Sequence, residues 1–94
     1  MALRDAYMDK LDAQLRESQA EIQRLTAKAS SARAEARVAV EEKIAELHSR
    51  QQALTRRVES LRNAGDDAWQ DLVSGAETAW SELRSSVRSA AQRF

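Results

Sequence analysis

The sequence has no cysteine and no proline, only two glycines, and a single histidine, His48. Without cysteine there can be no disulfide and no thiolate metal site, which suits a reducing compartment. Without proline, and with so little glycine, the chain offers few points at which a helix must end. Aromatic residues make up 4% of the chain, and the β-branched residues are too scattered to supply strands. Disulfide-rich and sheet-based folds are therefore excluded.

Long apolar runs and an excess of charge of one sign are also missing. The longest uncharged stretches have five residues, whereas a membrane-spanning helix needs roughly twenty apolar residues. Charge follows too early at the N-terminus for a signal peptide. The 15 basic residues balance the 15 acidic ones, and neither residues 1–63 nor 64–94 form a polybasic segment. We therefore expect a soluble, cytoplasmic protein with no nucleic acid as its main partner.

What is present favours long helices. Ala, Glu, Lys, Leu and Arg supply 51 of the 94 residues, a bias typical of coiled coils. In the first two thirds of the chain, apolar residues recur at steps of three and four, which places them on one helix face. Ser18 and Gln51 occupy two positions of this stripe. The pattern predicts one helix over residues 3–62. A turn at Ser30-Ser31 is the alternative, but no Gly, Pro or Asn accompanies the serines, so the continuous helix is favoured.

Residues 63–66, with the sequence Asn-Ala-Gly-Asp, predict a turn. Gly65 is expected to take the left-handed conformation that ends a helix, and Asp66 or Asp67 to cap the next one. A second helix is predicted over residues 67–93. The predicted fold class is all-α: a long helix followed by a shorter antiparallel helix. This single coiled-coil hairpin over residues 1–94 would be completed by oligomerisation.

The second predicted helix contains an eleven-residue repeat. Asp67-Ala-Trp69-Gln-Asp-Leu72 returns as Thr78-Ala-Trp80-Ser-Glu-Leu83, and a degenerate third copy ends at Phe94. Trp69 and Trp80 are interpreted as large side chains that fill a helix–helix seam, the same seam that Leu47, Leu54, Val58 and Leu61 would line. The alternative is an exposed binding surface or a membrane-insertion face, because tryptophan favours both.

The paired motif of residues 66–83, behind a long charged helix, resembles a family of small bacterial coiled-coil proteins associated with stress responses. After Leu83 the sequence departs from that pattern, since Ser and Arg replace a Lys/Glu-rich ending. The resemblance implies a stress-associated role and no assigned activity, and it brings no catalytic or cofactor residues.

Enzyme chemistry finds no support in the sequence. His48 has no second His or Cys with which to share a metal or activate a nucleophile. Glu41 and Glu42 are adjacent, but adjacent carboxylates on a helix are ordinarily solvated. Glycine-rich phosphate loops are absent. We therefore predict that the chain is not an enzyme, that it has no catalytic, metal or cofactor-binding residues, and that it uses no cofactor.

The leading functional hypothesis is a non-enzymatic structural or interaction protein that self-assembles through its apolar seam. A second helix of 28 residues covers under half of a 60-residue helix, so the N-terminal stripe would lack an intramolecular partner. That argument predicts an antiparallel homodimer with its two-fold axis near Ala32, although a parallel dimer or larger bundle remains open. An unidentified protein client is a further expected partner. The predicted interface comprises Tyr7, Leu11, Leu15, Ile22, Leu25, Ala29, Ala32, Ala36, Leu47, Leu54, Val58, Leu61, Trp69, Leu72, Trp80 and Leu83.

Two other functions are weighed against self-assembly. The first is a peripheral membrane-surface binder that acts through the amphipathic helix 67–94, whose polar face is rich in serine. Against it, that face is acidic until Arg84, and anionic headgroups repel acidic residues. The second is a nucleic-acid-associated protein that uses Arg56, Arg57 and Arg62 near the turn, for which the balanced charge is unfavourable.

Overall fold

The computed structural model describes residues 2–93 and shows an all-helical protein. Three helices make up nearly all of these residues: α1 (Ala2–Ala29), α2 (Ala34–Arg62) and α3 (Asp66–Arg93). No strand occurs in this part of the chain. The all-α class is therefore confirmed. Phe94, the last residue of the degenerate third repeat, lies outside the described residues.

The prediction of one helix over residues 3–62 is wrong, because the chain turns at residues 30–33. Helix α1 ends in two backbone hydrogen bonds between residues three apart, in place of the four of an α-helix. The Ser31 N–H donates to the Lys28 carbonyl at 3.1 Å, and the Ala32 N–H donates to the Ala29 carbonyl at 3.0 Å. The Ser30 hydroxyl donates to the Ala27 carbonyl at 2.7 Å. Carbonyl groups that a helix end leaves without partners are thus satisfied locally. Arg33 is then extended, with φ −67° and ψ 155°, and α2 starts after it.

The second turn lies at residues 63–65, where the sequence predicted it. Asn63 ends α2, with φ −96° and ψ 1°. Its N–H donates to the Glu59 carbonyl at 3.2 Å, and the Ala64 N–H donates to the Leu61 carbonyl at 3.1 Å. Gly65 does not adopt the expected left-handed conformation, since no described residue has a positive φ. Asp66 and Asp67 lie in the first turn of α3, where their charge complements the helix dipole.

The three helices pack side by side into a rod of 51 × 18 × 18 Å. Contacts between α2 and α3 run in reverse order of sequence: the Arg57 side chain lies beside Gly75, and Arg50 pairs with Glu82. The buried core draws apolar residues from all three helices: Leu11, Ile22 and Leu25 of α1; Leu47, Leu54, Val58 and Leu61 of α2; and Ala76, Leu83 and Ala90 of α3. Burial of these side chains stabilises the bundle by roughly 1.5–3 kcal/mol for each large one.

This packing removes the reason given for dimerisation. The N-terminal stripe was expected to lack an intramolecular partner, yet Leu11, Ile22 and Leu25 are each at most 3% exposed within one chain. The turn at residues 30–33 folds α1 back onto α2, so no long bare helix remains. The predicted two-fold axis at Ala32 assumed that two continuous long helices, one from each chain, pack there. The structure interrupts that helix at residues 30–33, so the predicted dimer cannot form as described. Of the three helices, none is long and apolar enough to cross a membrane.

Candidate functional site

The residues predicted to form an interface between chains lie mostly inside one chain. Trp69 and Trp80 are half-buried and pack against the buried cluster that contains Leu47 and Leu54. Ala36 is exposed. Eight of the other predicted residues are buried: Leu11, Ile22, Leu25, Leu47, Leu54, Val58, Leu61 and Leu83. Tyr7, Leu15, Ala29, Ala32 and Leu72 are half-buried.

Arg4 joins α1 to the turn between α2 and α3. Its Nη2 donates to the Leu61 carbonyl at 3.1 Å and also to the Ala64 carbonyl, while its Nη1 lies 3.4 Å from Asp66 Oδ1. Its guanidinium carbon lies 4.3 Å from the centroid of the Trp69 ring, within the range of a cation–π contact. One side chain therefore satisfies carbonyl groups at the end of α2 and covers an aromatic residue of α3.

Tyr7 extends this cluster. Its ring meets Trp69 edge to face, with centroids 5.9 Å apart, and its hydroxyl donates to Glu77 Oε1 at 2.9 Å. Partial burial, followed by the hydrogen bond and negative charge of Glu77, raises the pKa of Tyr7 to about 12. A phenol with that pKa stays protonated at neutral pH and therefore keeps its hydrogen bond to Glu77.

A polar pair interrupts the core midway along the rod. Ser18 and Gln51, the two polar members of the predicted stripe, are both buried, and Ser18 Oγ lies 2.6 Å from Gln51 Oε1. Ser18 Oγ also lies 2.9 Å from the Leu15 carbonyl, but a hydroxyl has one hydrogen and donates to one acceptor. Gln51 Nε2 is buried without a hydrogen-bond partner. The pair therefore fixes where α1 meets α2, at a cost in stability.

The seam between α1 and α3 is not closed along this stretch. A groove of about 420 Å³ follows it, lined on the α1 side by Gln14, Glu17, Ser18 and Glu21 and on the α3 side by Trp80, Leu83, Arg84 and Val87. The half-buried Trp80 is the largest apolar side chain there. The groove combines an apolar floor with charged edges, as binding surfaces for helices do.

The end of the rod near the 63–65 turn is acidic. We call this end the acidic pole and define it as residues 2–12 and 59–77, which contain three basic and eight acidic side chains, a net charge of −5. Contacts between its segments hold them together: Arg62 pairs with Asp12 at 2.9 Å, and Arg4 with Asp66 at 3.4 Å. All three of its basic residues contact other members of the pole.

The opposite end, near the 30–33 turn, is basic. We call it the basic pole and define it as residues 24–40 and 84–93, which contain seven basic side chains and one acidic, a net charge of +6. Lys28, Arg33 and Arg93 come from three different segments and line one concavity of about 320 Å³. Within residues 2–93, Arg24 is the only one of the seven in an ion pair, with Glu21 at 2.9 Å.

Groups able to do chemistry remain scattered over the rod. His48 is exposed, and no group of three or more His, Cys, Asp or Glu side chains among the described residues is placed to hold a metal ion. The pKa of Glu46 is lowered chiefly by its hydrogen bond from Lys43, with Arg50 adding to the effect. Glu46 therefore remains an ionised partner of cations at neutral pH.

Fold and surfaces together define a class: a small helical bundle whose prominent surface features are a groove and two charged poles. No family model, curated protein or solved structure matches the chain.

Sequence reasoning missed the poles and the groove. Counted along the chain, residues 1–63 hold 12 basic and 10 acidic side chains, which hides any polarity. The polarity arises because the 30–33 turn brings the second quarter of the chain beside its C-terminal end. The sequence signal for the basic pole was the run of Arg84, Arg88 and Arg93, which has no carboxylate between its members. This run indicates a basic end of the rod only when it is known to lie beside the turn at residues 30–33.

Proposed function

We propose that this chain is a non-enzymatic structural protein that works by self-assembly, with the α1–α3 groove as its contact face. The observation that carries the proposal is the open groove around the half-buried Trp80. In this bundle α2 covers the inner side of the seam between α1 and α3, and the outer side keeps a groove of about 420 Å³. Filling that space with side chains of another molecule would bury Trp80, and tryptophan is a preferred anchor at interfaces.

The non-enzymatic part of the proposal rests on the sequence, which has one histidine, no cysteine and no glycine-rich phosphate loop. The stress-associated role and the cytoplasmic location remain proposals that rest on the sequence resemblance and composition.

Sedimentation equilibrium over a wide concentration range tests the proposal. We expect reversible association, and Trp80→Ala should weaken it at least tenfold. Gln52→Ala is the control, since Gln52 is exposed on α2 and lies outside the groove and both ends of the rod. A monomeric mass at every concentration would refute self-assembly.

Trp80→Ala can also reduce stability, so a second measurement leaves the groove intact. In a Trp69→Phe variant, all tryptophan emission comes from Trp80. Association through the groove should shift this emission to shorter wavelength as concentration rises. Association without any shift would show that another surface makes the contact.

The competing membrane hypothesis now has a structural requirement. Ala76, Leu83 and Ala90 of α3 are buried, so the apolar face of helix 67–94 can reach lipid only if α3 leaves the bundle. Co-sedimentation with phosphatidylcholine and mixed anionic vesicles, accompanied by loss of the α1–α3 contacts, would favour that function over self-assembly.

A further inference from the structure

The two poles of the rod carry opposite and nearly equal charge. The acidic pole has a net charge of −5 and the basic pole +6, and the remaining middle has −1. The rod is 51 Å long, several times the screening length of about 8 Å at physiological salt. Each pole therefore acts on its own surroundings rather than being neutralised by the other.

We propose that the partner in the groove is a second copy of this chain, docked antiparallel so that each acidic pole lies against a basic pole. This inference rests on the proposed self-assembly and adds the orientation and the recognition element. A partner of one charge would satisfy a single pole. A second, reversed copy satisfies both, while a parallel copy places like charges side by side, which is unfavourable.

Side-by-side docking also supplies the area that a stable dimer needs. The end of the rod measures 18 × 18 Å and its flank 51 × 18 Å. These dimensions give roughly 320 Å² for an end and roughly 900 Å² for a flank, against about 800 Å² per partner in a stable interface. End-to-end association would match charges too, but it offers less than half that area and would not close.

The groove lies close to the middle of the rod, where the two-fold axis of a fully overlapping antiparallel dimer passes. Its residues, from Gln14 to Glu21 on α1 and from Trp80 to Val87 on α3, occupy the middle of the rod and the edge of the basic pole. A two-fold axis through this region lets the rods overlap along most of their length. The cations of the basic pole, most of which make no ion pair within residues 2–93, are then free to meet the other copy.

A pair of charge-reversed variants tests the proposal. The first carries Lys28→Glu, Arg33→Glu and Arg93→Glu, which takes the basic pole from +6 to 0. The second carries Asp9→Lys, Asp67→Lys and Asp71→Lys, which takes the acidic pole from −5 to +1. We expect each variant alone to associate at least tenfold more weakly than the unmodified chain, and an equimolar mixture to form a one-to-one dimer.

The control changes the net charge by −4 and leaves both poles and the groove intact. Arg56→Glu and Arg57→Glu reverse two exposed cations of α2, and this double variant should associate within threefold of the unmodified chain. If the pole variants associate as tightly as the control, the poles do not hold the dimer and the inference is overturned. Circular dichroism checks that each variant is folded.

Two further measurements separate orientation from association. Chains with Asp9→Cys and chains with Arg88→Cys should form a mixed disulfide under oxidation, because antiparallel docking brings opposite poles together. Efficient cross-linking of Asp9→Cys chains only with each other would establish the parallel dimer. Association of the unmodified chain should also weaken by at least tenfold between 50 mM and 500 mM salt, and a salt-independent dimer would contradict pole recognition. A chain that stays monomeric throughout would instead refute the self-assembly on which the inference rests.

Discussion

Substituting proline for Ala34 distinguishes a chain of three helices from a chain in which residues 3–62 form one continuous helix. Ala34 is the first residue of α2, and the preceding Arg33 is already extended at φ −67° and ψ 155°, the conformation that a residue before proline prefers. Because Ala34 is the first residue of its helix, its N–H has no hydrogen-bond partner within α2. Ala34→Pro therefore removes no helical hydrogen bond and introduces a residue favoured at the first helical position.

The expected effect on the free energy of unfolding is small and favourable. Restricting the unfolded chain by proline at a compatible position stabilises a protein by about 0.4–1 kcal/mol. In a continuous helix over residues 3–62 the same substitution would lie deep in the helix interior and cost about 3 kcal/mol or more. The two architectures therefore differ by roughly 4 kcal/mol in the outcome of a single substitution.

Urea unfolding followed by circular dichroism measures the difference. Ala45→Pro is the matched control, because Ala45 is exposed in the interior of α2 and should lose at least about 3 kcal/mol. If Ala34→Pro lowers the free energy of unfolding as much as Ala45→Pro does, residues 30–33 are helical. The packing of α1 against α2 described above would then be wrong.

Three other outcomes follow from particular contacts. Ser18→Ala should lower the free energy of unfolding by about 1–3 kcal/mol because it leaves the buried Gln51 amide wholly unpaired. Gln51→Met should be neutral or stabilising, since Ser18 can still donate to the Leu15 carbonyl of its own helix. Urea midpoints that rank the two variants the other way would contradict this account. Tyr7, with its pKa raised from 10.0 to about 12, contributes stability that is complete below pH 10 and is lost as the pH rises toward 12; absorbance at 295 nm should show phenol ionisation near pH 12, and ionisation near pH 10 would mean that Tyr7 is solvated. Arg4→Lys should lower the melting temperature by several degrees and change Trp69 emission, because lysine keeps the charge but loses the planar fork; an unchanged melt would show that the charge alone matters.

Much of the helical content could be predicted from the sequence, and the reason is periodicity. The stripe of threes and fours located the core residues of α1 and α2, including the polar Ser18 and Gln51, and the Asn63-to-Asp66 segment located one turn. Helix α3 was predicted at 67–93 and is found at Asp66–Arg93. These features depend on local pattern, which a sequence displays directly.

The turn at residues 30–33 falls at Ser30-Ser31, the alternative that the sequence pattern did not favour because no Gly, Pro or Asn accompanies the two serines. It needs no left-handed residue, and its carbonyl groups are satisfied by tight local bonds and the Ser30 hydroxyl. Both the straight and the bent chain keep the same stripe, so local pattern cannot choose between them. Burial of Leu11, Ile22 and Leu25 against the rest of the chain decides in favour of the bend, which is a tertiary effect.

The two short turns have a consequence for how quickly the chain folds. Residues 30–33 and 63–65 each join helices that pack on one another, so the α1–α2 and α2–α3 contacts form after closure of small loops, which costs little chain entropy. Proteins dominated by such local contacts fold in microseconds to milliseconds. Only the α1–α3 contacts join helices that are not consecutive, and these contacts are the least extensive of the three helix pairs. The contacts whose formation costs the most chain entropy are thus the least extensive. We therefore expect the α1–α3 seam to open at a lower free energy than the rest of the bundle, and amide hydrogen exchange along this seam measures that free energy.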